Sequence, residues 1–415
     1  MQNLNSRCIL NSLPLFICLF IIFSCNSSNN SQKYQQKDWG NKKNSFKLSL
    51  SDIEGAEKYD LNDIFDSIHY VPLQTTKEST FSKINQMEVT DKYFIISDRA
   101  TNSILVFGKD GTFKFKLKSN DISDFTVDET KGHIVFQDKH LRKVYIYNFK
   151  GQLVDTHAPT FNYTGLSYLD SNKIAYYRYM VADNDIKFPA ANILIGDSSN
   201  ILKHTFIPYD TTAIVYREMR NSIKPFYKSN HDVYFPQPYD NKIFYNLKND
   251  NKPDYFTIDF PEKYTLPNDF LVNAKYLNKR LQYFKDNPYQ AFLIQNLYIV
   301  DSLMTFEVTS EKWRDIFLYD LRKQKAISVF NLLSGPKNTC LPQGRHFLAA
   351  DDKSFYRSTT AIELFNAKQV QQAHLYSQSM PKEMKVFYQT QNNLSNPVVV
   401  QLFPKKNLNG LKKKV

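Results

Sequence analysis

The 415-residue chain has few of the residues that are typical of small disulfide-rich or loop-rich domains: four cysteines, two tryptophans and 11 glycines. Three of the cysteines, Cys8, Cys18 and Cys25, lie within the first 25 residues, which leaves Cys340 alone in the rest of the chain. No intramolecular disulfide can therefore form beyond residue 25. We expect Cys340 to be a small buried apolar residue rather than a catalytic thiol.

Common catalytic signatures are also missing. The sequence has no Gly-rich phosphate loop, no Gly-x-Ser-x-Gly and no His-Glu-x-x-His motif, and its eight histidines are scattered without metal-ligand spacing. These absences count against the usual nucleotide-binding, serine-hydrolase and zinc sites. They leave open a site whose ligands are gathered from distant repeats.

A hydrophobic run long enough to cross a membrane is absent as well. The main apolar run covers residues 13–23 and is followed at once by polar residues, whereas a spanning helix needs about 20 apolar residues. A run this short is typical of a signal-peptide core, and a short buried helix is the alternative. Residues 22–25, Ile-Phe-Ser-Cys, resemble a bacterial lipobox. We therefore predict a signal peptide at 1–24, a lipidated Cys25 and a flexible tether at 25–45.

Aromatic and basic residues are plentiful. Phe (32) and Tyr (27) together favour pleated, half-buried strands. The formal net charge of +12 is spread along the chain except in the Lys-rich tail, residues 406–415. Such a tail can bind nucleic acid, but for an exported protein we expect a solvated tail or contact with acidic polymers or lipid head groups, and no nucleic acid.

A forty-residue repeat organises the body of the chain. Three landmarks recur at this spacing: Asp98 and Asp138, Phe107 and Tyr147, and Gly111 and Gly151. Each copy contains short, largely apolar strands separated by polar turns, and four strands in about 40 residues are typical of a β-propeller blade. Less regular copies follow, near residues 174–195, 232–245, 303–319 and 354–402.

The repeat predicts an all-β fold, a six-bladed β-propeller of four-stranded blades over residues 46–405. We expect the alternating residues 46–50 to close the ring by pairing beside residues 398–402. Residues 276–284 and 361–379 have helical spacing and are predicted to be short excursions from the ring.

The segment Ile68-His69-Tyr70-Val71-Pro72-Leu73-Gln74-Thr75 resembles the I-x-Y-[IV]-P-L-E-T opening of six-bladed β-propeller lipoproteins common in Bacteroidetes. Residues 103–111 and 396–400 are similar too, so the likeness covers roughly residues 46–405. Gln74 replaces the usual Glu, and the third to sixth copies lack the Gly turn. The resemblance implies an NHL-like propeller on the cell envelope, and it implies no reaction or ligand.

Candidate ligand-binding residues come from the loops after the Asp98-type position, because propellers bind at a face where such loops meet. Asp98 and Asp138 themselves are better explained as turn caps. Aromatic and planar hydrogen-bonding side chains suit sugar rings and peptides. The candidates are Arg99, Arg178, Tyr179, Tyr239, Trp313, Arg314 and Arg357.

Two functions remain open at this point. The favoured one is a non-catalytic, monomeric binding module without a cofactor, anchored as an envelope lipoprotein of the outer membrane, that recognises a glycan, a peptide or a partner protein. The alternative is a metal-dependent lyase or lactonase-type hydrolase with a divalent cation such as calcium at the central channel. The metal ligands of that alternative cannot be named from the sequence.

Overall fold

The predicted strands form six four-stranded antiparallel units, which confirms the six-bladed β-propeller. The computed structural model describes residues 40–55, 57–179, 190–197, 201–209, 224–249, 252–333, 341–370, 380–406 and 413–414. The signal peptide, Cys25, most of the tether and Cys340 lie outside the described residues. None of the described helices is long and apolar enough to span a membrane.

Blades 1 to 3 follow one another along the chain, each built from four consecutive strands that are joined by turns. Their inner strands face the axis and their fourth strands lie at the rim. The strands are β4 (Gln86–Val89), β5 (Tyr93–Asp98), β6 (Ser103–Gly108) and β7 (Phe113–Lys118) in blade 1; β8 (Ile122–Asp128), β9 (His133–Asp138), β10 (Lys143–Asn148) and β11 (Leu153–His157) in blade 2; and β12 (Gly165–Asp170), β13 (Lys173–Tyr177), β14 (Ala191–Gly196) and β15 (Leu202–Pro208) in blade 3.

Blades 4 to 6 complete the ring, and two of them take a strand from the N-terminal segment. The strands are β16 (Tyr227–Ser229), β17 (Asp232–Pro236), β18 (Lys242–Tyr245), β19 (Asp254–Asp259) and β1 (Asn41–Lys47) in blade 4; β20 (Leu293–Val300), β21 (Leu303–Thr309), β22 (Arg314–Asp320) and β23 (Lys325–Ser328) in blade 5; and β25 (Ala349–Ala350), β26 (Phe355–Thr359), β27 (Val398–Pro404) and β3 (Phe65–Pro72) in blade 6.

Ring closure uses a different N-terminal strand from the one predicted. β27 pairs with β3, with Val398 opposite Pro72 and Leu402 opposite Ile68. The predicted pairing of residues 46–50 beside residues 398–402 was wrong: Phe46 lies in β1, which pairs in parallel with β19 at the rim of blade 4. β3 buries Phe65 and Tyr70 at 1% and 3% exposure, whereas β1 buries no residue. β1 also begins at Asn41, inside the region expected to be tether.

Asn396, at the end of the loop before β27, stabilises the ring closure through hydrogen bonds of its side chain. Its side chain is fully buried, donates to the carbonyl oxygens of Gln74 (2.8 Å) and Ser79 (3.0 Å), and accepts from the backbone N–H of Phe81 (3.1 Å). Gln74 in turn accepts from the backbone N–H of Phe113 at 2.9 Å. A Glu at position 74 would accept the same bond, so the departure from the family pattern keeps this contact.

Alternation along the strands places successive side chains against different neighbouring blades. Ile95 packs with Phe125 of blade 2, whereas Phe94 and Ile96 pack with Tyr356 of blade 6. Both faces of each sheet are therefore buried, which explains why strands such as β5 and β6 appear as nearly continuous apolar runs.

The remaining elements lie outside the blades. Residues 276–284 were predicted to be helical, but the helix begins only at Arg280, because Asn278 adopts a left-handed backbone with φ of 59°. A small sheet joins β2 (Lys58–Asp60), β24 (Leu332–Leu333) and β28 (Lys413–Lys414), so part of the basic tail forms a strand. The α-helices are Leu50–Glu54, Leu61–Ile64, Arg280–Asp286, Ala361–Val370 and Lys382–Thr390, and the 3₁₀ helices are Glu262–Tyr264, Ala274–Tyr276 and Val329–Asn331.

Replacing Asn396 with leucine should destabilise the propeller by about 3 kcal/mol, because two carbonyls and one N–H would lose their partner inside the closure. Urea unfolding followed by tryptophan fluorescence measures this loss. The matched control is Asn393→Leu, at an exposed position of the same loop. Equal stability of the two variants would show that Asn396 does not hold the ring closed.

Candidate functional site

The turns of the propeller form two faces. We call the one that carries the turns between the first and second strands of each blade the first-turn face, and the one that carries the turns between the second and third strands the second-turn face. A cavity of about 700 Å³ opens at the first-turn face and is lined by residues of five blades, so it lies over the axis; we call it the axial cavity. Its lining comprises residues 88–91, 109, 127–130, 168–171, 228–233, 350–353 and 401.

Carboxylates dominate the charge of the axial cavity. Eight line it, against three lysines and one histidine, although the chain as a whole carries a net charge of +12. Several also cap the turns that carry them: Asp170 accepts from the backbone N–H of Asn172 at 2.8 Å. The carboxylates are Glu88, Asp91, Asp128, Glu129, Asp170, Asp232, Asp351 and Asp352.

The floor of the cavity is a charge cluster carried by inner strands and the residues beside them. The carboxylate of Glu88 lies 3.2 Å from the ammonium of Lys224 and 3.7 Å from that of Lys228. Lys228 also donates to the hydroxyl of Thr126 and to the carbonyl of Val127. Burial alone would raise the pKa of Glu88, but the two lysines outweigh it and lower the pKa. Both oxygens of Glu88 are therefore held by cations, and the floor supplies fixed charge rather than an unpaired base.

Asp124 lies on the same ring of inner strands and is almost fully buried. Its carboxyl group accepts from the backbone N–H groups of Leu166 (3.0 Å) and Phe125 (2.9 Å), which ties blade 2 to blade 3. Burial raises its pKa to about 6, although the hydrogen bond from Leu166 and the charge of Lys224 oppose the shift. Asp124 therefore changes charge in the mildly acidic range.

The predicted candidates lie away from the axial cavity, on or near the second-turn face. Arg99 is exposed and donates to the carbonyl of Ser123 at 3.2 Å. Arg178 and Tyr179 are buried, at 2% and 3% exposure, and so form part of the packing of blade 3. The role of these three residues in binding stays a prediction.

Aromatic candidates are more buried than the sequence suggested. Tyr239 is 4% exposed and packs against Phe270, Phe284 and Phe292 beside a smaller cavity of about 350 Å³. Trp313 is half-buried, with its ring 4.9 Å from that of Tyr264. Their surroundings already account for both side chains as packing residues.

Arg314 and Arg357 have different environments. Arg314 is half-exposed and pairs with the fully buried Glu307, which also accepts from His346 at 2.9 Å. Arg357 is buried and lines a third cavity, of about 390 Å³. Asp98 and Asp138 cap turns as interpreted: Asp138 accepts from the backbone N–H of Leu141 at 2.8 Å, and Asp98 from that of Ala100 at 3.3 Å.

The sequence did contain a signal for the axial cavity. A carboxylate occurs in or beside the turn between the first and second strands of every blade, at 91, 128–129, 170, 232, 301 and 351–352. Asp301 of blade 5 is the member of this set that does not line the cavity. The forty-residue repeat drew attention instead to the turn after the second strand, where Asp98 and Asp138 recur.

A metal-dependent reaction needs several ligands that converge. Among the residues that the structure describes, no group of three or more His, Cys, Asp or Glu side chains is arranged to hold a metal ion. The alternative of a divalent cation at the central channel thus has no ligand set in this part of the chain.

The pKa of Asp124 gives a prediction for stability. Because the folded state favours the protonated carboxyl, the contribution of Asp124 is largest below pH 4 and is lost as the pH rises through about 6, a change of about 3 kcal/mol. Asp124→Asn, which keeps an oxygen acceptor for Leu166, should remove this slope. Urea unfolding at several pH values from 4 to 7.5 measures it. The exposed Asp121→Asn is the control, and a slope that persists in Asp124→Asn would assign the pH dependence to another group.

Comparison with known proteins identifies the family. No curated protein matches the chain. A Bacteroides fragilis protein whose name marks it as a candidate for export has a similar crystal structure, with a TM-score of 0.69 and 15% identity over 87% of this chain and 99% of that one. A member of the DUF4221 family from Bacteroides vulgatus is less similar, with a TM-score of 0.45 and 10% identity over 82% and 97% of the two chains. The family described as a domain of unknown function (DUF4934) matches residues 45–402, and the chain belongs to it.

Proposed function

We propose that this protein is an envelope lipoprotein whose propeller binds, without catalysis, a basic segment of a peptide or partner protein at the axial cavity. The observation that carries the proposal is the excess of carboxylates around a cavity of about 700 Å³ on a chain with a net charge of +12. Clefts lined by one sign of charge attract ligands of the other sign.

The carboxylates of the cavity are suited to binding rather than to catalysis. Glu88 on the floor is paired with two lysines, which does not suit a catalytic base, and Asp232 at a turn of the first-turn face accepts from the backbone N–H of Val233 at 2.8 Å. A carboxylate held in place by such a backbone bond is pre-organised for a cationic ligand. The exposed carboxylates Asp91, Glu129 and Asp170 stand at the rim, where a flexible cationic side chain can reach them.

A glycan is the less favoured ligand for this cavity. Sugar rings need aromatic faces to stack on, and Tyr168 is the one aromatic residue among the described residues that line it. Lysine and arginine side chains need carboxylates and carbonyls, which the cavity supplies in number. A basic peptide segment therefore fits better.

The proposed cellular location is based on the N-terminal sequence. The apolar run at 13–23 and the Ile-Phe-Ser-Cys motif at 22–25 support export and lipidation of Cys25, and the similar Bacteroides fragilis protein is named as a candidate for export. We propose a monomer held on the outer membrane by the lipid. The tether would then let the propeller meet partners in the envelope.

A lysine-rich decapeptide should bind the full chain. We expect about tenfold weaker binding to a triple variant at the edge of the axial cavity, called the rim variant: Asp91→Asn, Glu129→Gln and Asp170→Asn. Three partly exposed charges at roughly 0.5 kcal/mol each account for this loss. The amides keep the acceptors that hold Asp91, Asn172 and Lys173 in their turns. Isothermal titration calorimetry at two salt concentrations measures the affinity, which should fall at the higher salt.

The matched control changes the same number of exposed carboxylates elsewhere: Asp66→Asn, Glu262→Gln and Glu383→Gln. Its affinity should equal that of the wild type, and a glutamate-rich decapeptide should not bind. If the control weakens binding as much as the rim variant, the axial cavity is not the site. Loss of binding in Arg314→Ala, with the rim variant unaffected, would move the site to the second-turn face.

Lipidation has its own test. Cells that express the full chain and are fed an alkyne-labelled fatty acid should incorporate the label into the wild-type protein, and Cys25→Ser should abolish it because the acylated thiol is gone. Cys18→Ser, within the apolar run, is the control and should keep the label. Equal labelling of Cys25→Ser and the wild type would rule out Cys25 as the anchor.

A further inference from the structure

A cavity beside blade 6 combines apolar walls with a buried cation. Its volume is about 390 Å³, and none of the described residues that line it is acidic. Leu61, Val329 and Leu341 are buried wall residues, while Phe330 and Leu333 stay 46% and 40% exposed at its edge. The polar members are Arg357, Gln343 and the exposed Arg345.

Arg357 projects from the second strand of blade 6 and is 2% exposed. Its guanidinium stacks on the ring of Phe347, with 3.9 Å from the central carbon to the ring centroid, and Nη1 makes one long hydrogen bond, 3.4 Å, to the carbonyl oxygen of Gly344. Nε and Nη2 are buried and have no partner among the described residues. Nε2 of Gln343 is also buried and has no partner in the part of the chain that the structure describes.

A buried guanidinium with two unused donors is costly unless an anion neutralises it. Burial lowers the pKa of Arg357 to about 9, so the group is still charged at neutral pH. Nε–H and Nη2–H lie on one edge of the planar guanidinium and point in parallel. In this geometry they can donate one hydrogen bond to each oxygen of a carboxylate. Nε2 of Gln343 offers a further donor in the same cavity.

We propose that this cavity binds a small organic carboxylate that carries an aliphatic chain, with the carboxylate on Nε and Nη2 of Arg357 and the chain along the leucine and valine walls. This site is separate from the axial cavity, so the proposal does not depend on the proposed peptide binding. The apolar walls distinguish it from a site for inorganic anions, which need donors on every side.

Isothermal titration calorimetry with octanoate tests the proposal on the full chain. Octanol supplies the same chain without the carboxylate, and acetate supplies the carboxylate without the chain. We expect octanoate to bind at least tenfold more tightly than either. Arg357→Met, which keeps a long apolar side chain in the buried position, should lose at least tenfold in octanoate affinity, and Arg99→Gln, an exposed arginine of blade 1, should lose none.

A variant at the edge keeps the test decisive if Arg357→Met does not fold. Leu333→Glu places a negative charge at a 40% exposed position and should weaken octanoate by repulsion while leaving the core intact. The proposal is overturned if octanol or acetate binds as tightly as octanoate, if a folded Arg357→Met binds octanoate normally, or if nothing binds at about 10 mM octanoate, where even a millimolar complex is detected.

Discussion

Each blade of this propeller buries both faces of its sheet, so no blade is complete until it has a neighbour on each side. The pairing of β3 with β27 provides the last neighbour, because it lets blade 6 cover the face of blade 1 that carries Phe94 and Ile96. Asn396 adds side-chain bonds to the segment that follows β3. The packing of all six blades therefore depends on a contact between residues at opposite ends of the described chain.

The same dependence explains what could be predicted from the sequence. Short apolar strands and the forty-residue spacing are properties of nearby residues, and they predict the blades correctly because each blade is built mainly from consecutive strands. Two N-terminal segments, residues 46–50 and 68–72, can form a closing strand, and strand propensity alone does not separate them. Burial decides it, since β3 carries Phe65 and Tyr70 into the core while the polar β1 can lie only at a rim.

The candidate site was harder for a related reason. A repeat shows which residues recur, but not which of the two faces encloses a cavity. Asp98 and Asp138 recur because they cap turns, and the carboxylates of the first-turn face recur partly for the same purpose. Arg357 was selected for its residue type, whereas its burial and the absence of a partner for Nε and Nη2 among the described residues are visible only in the structure. The axial cavity and the cavity beside blade 6 are thus opposite in charge: the first is acidic and the second is cationic.

The closure also fixes the order in which the molecule can be completed during synthesis. β3 emerges early and β27 more than 300 residues later, so the first blades must form while β3 has no partner. Until β27 arrives, the chain presents an unpaired strand and an open sheet face to its surroundings. A chain that stops before β27 would lose the closure rather than one blade. Production of this propeller is therefore all-or-none with respect to β27.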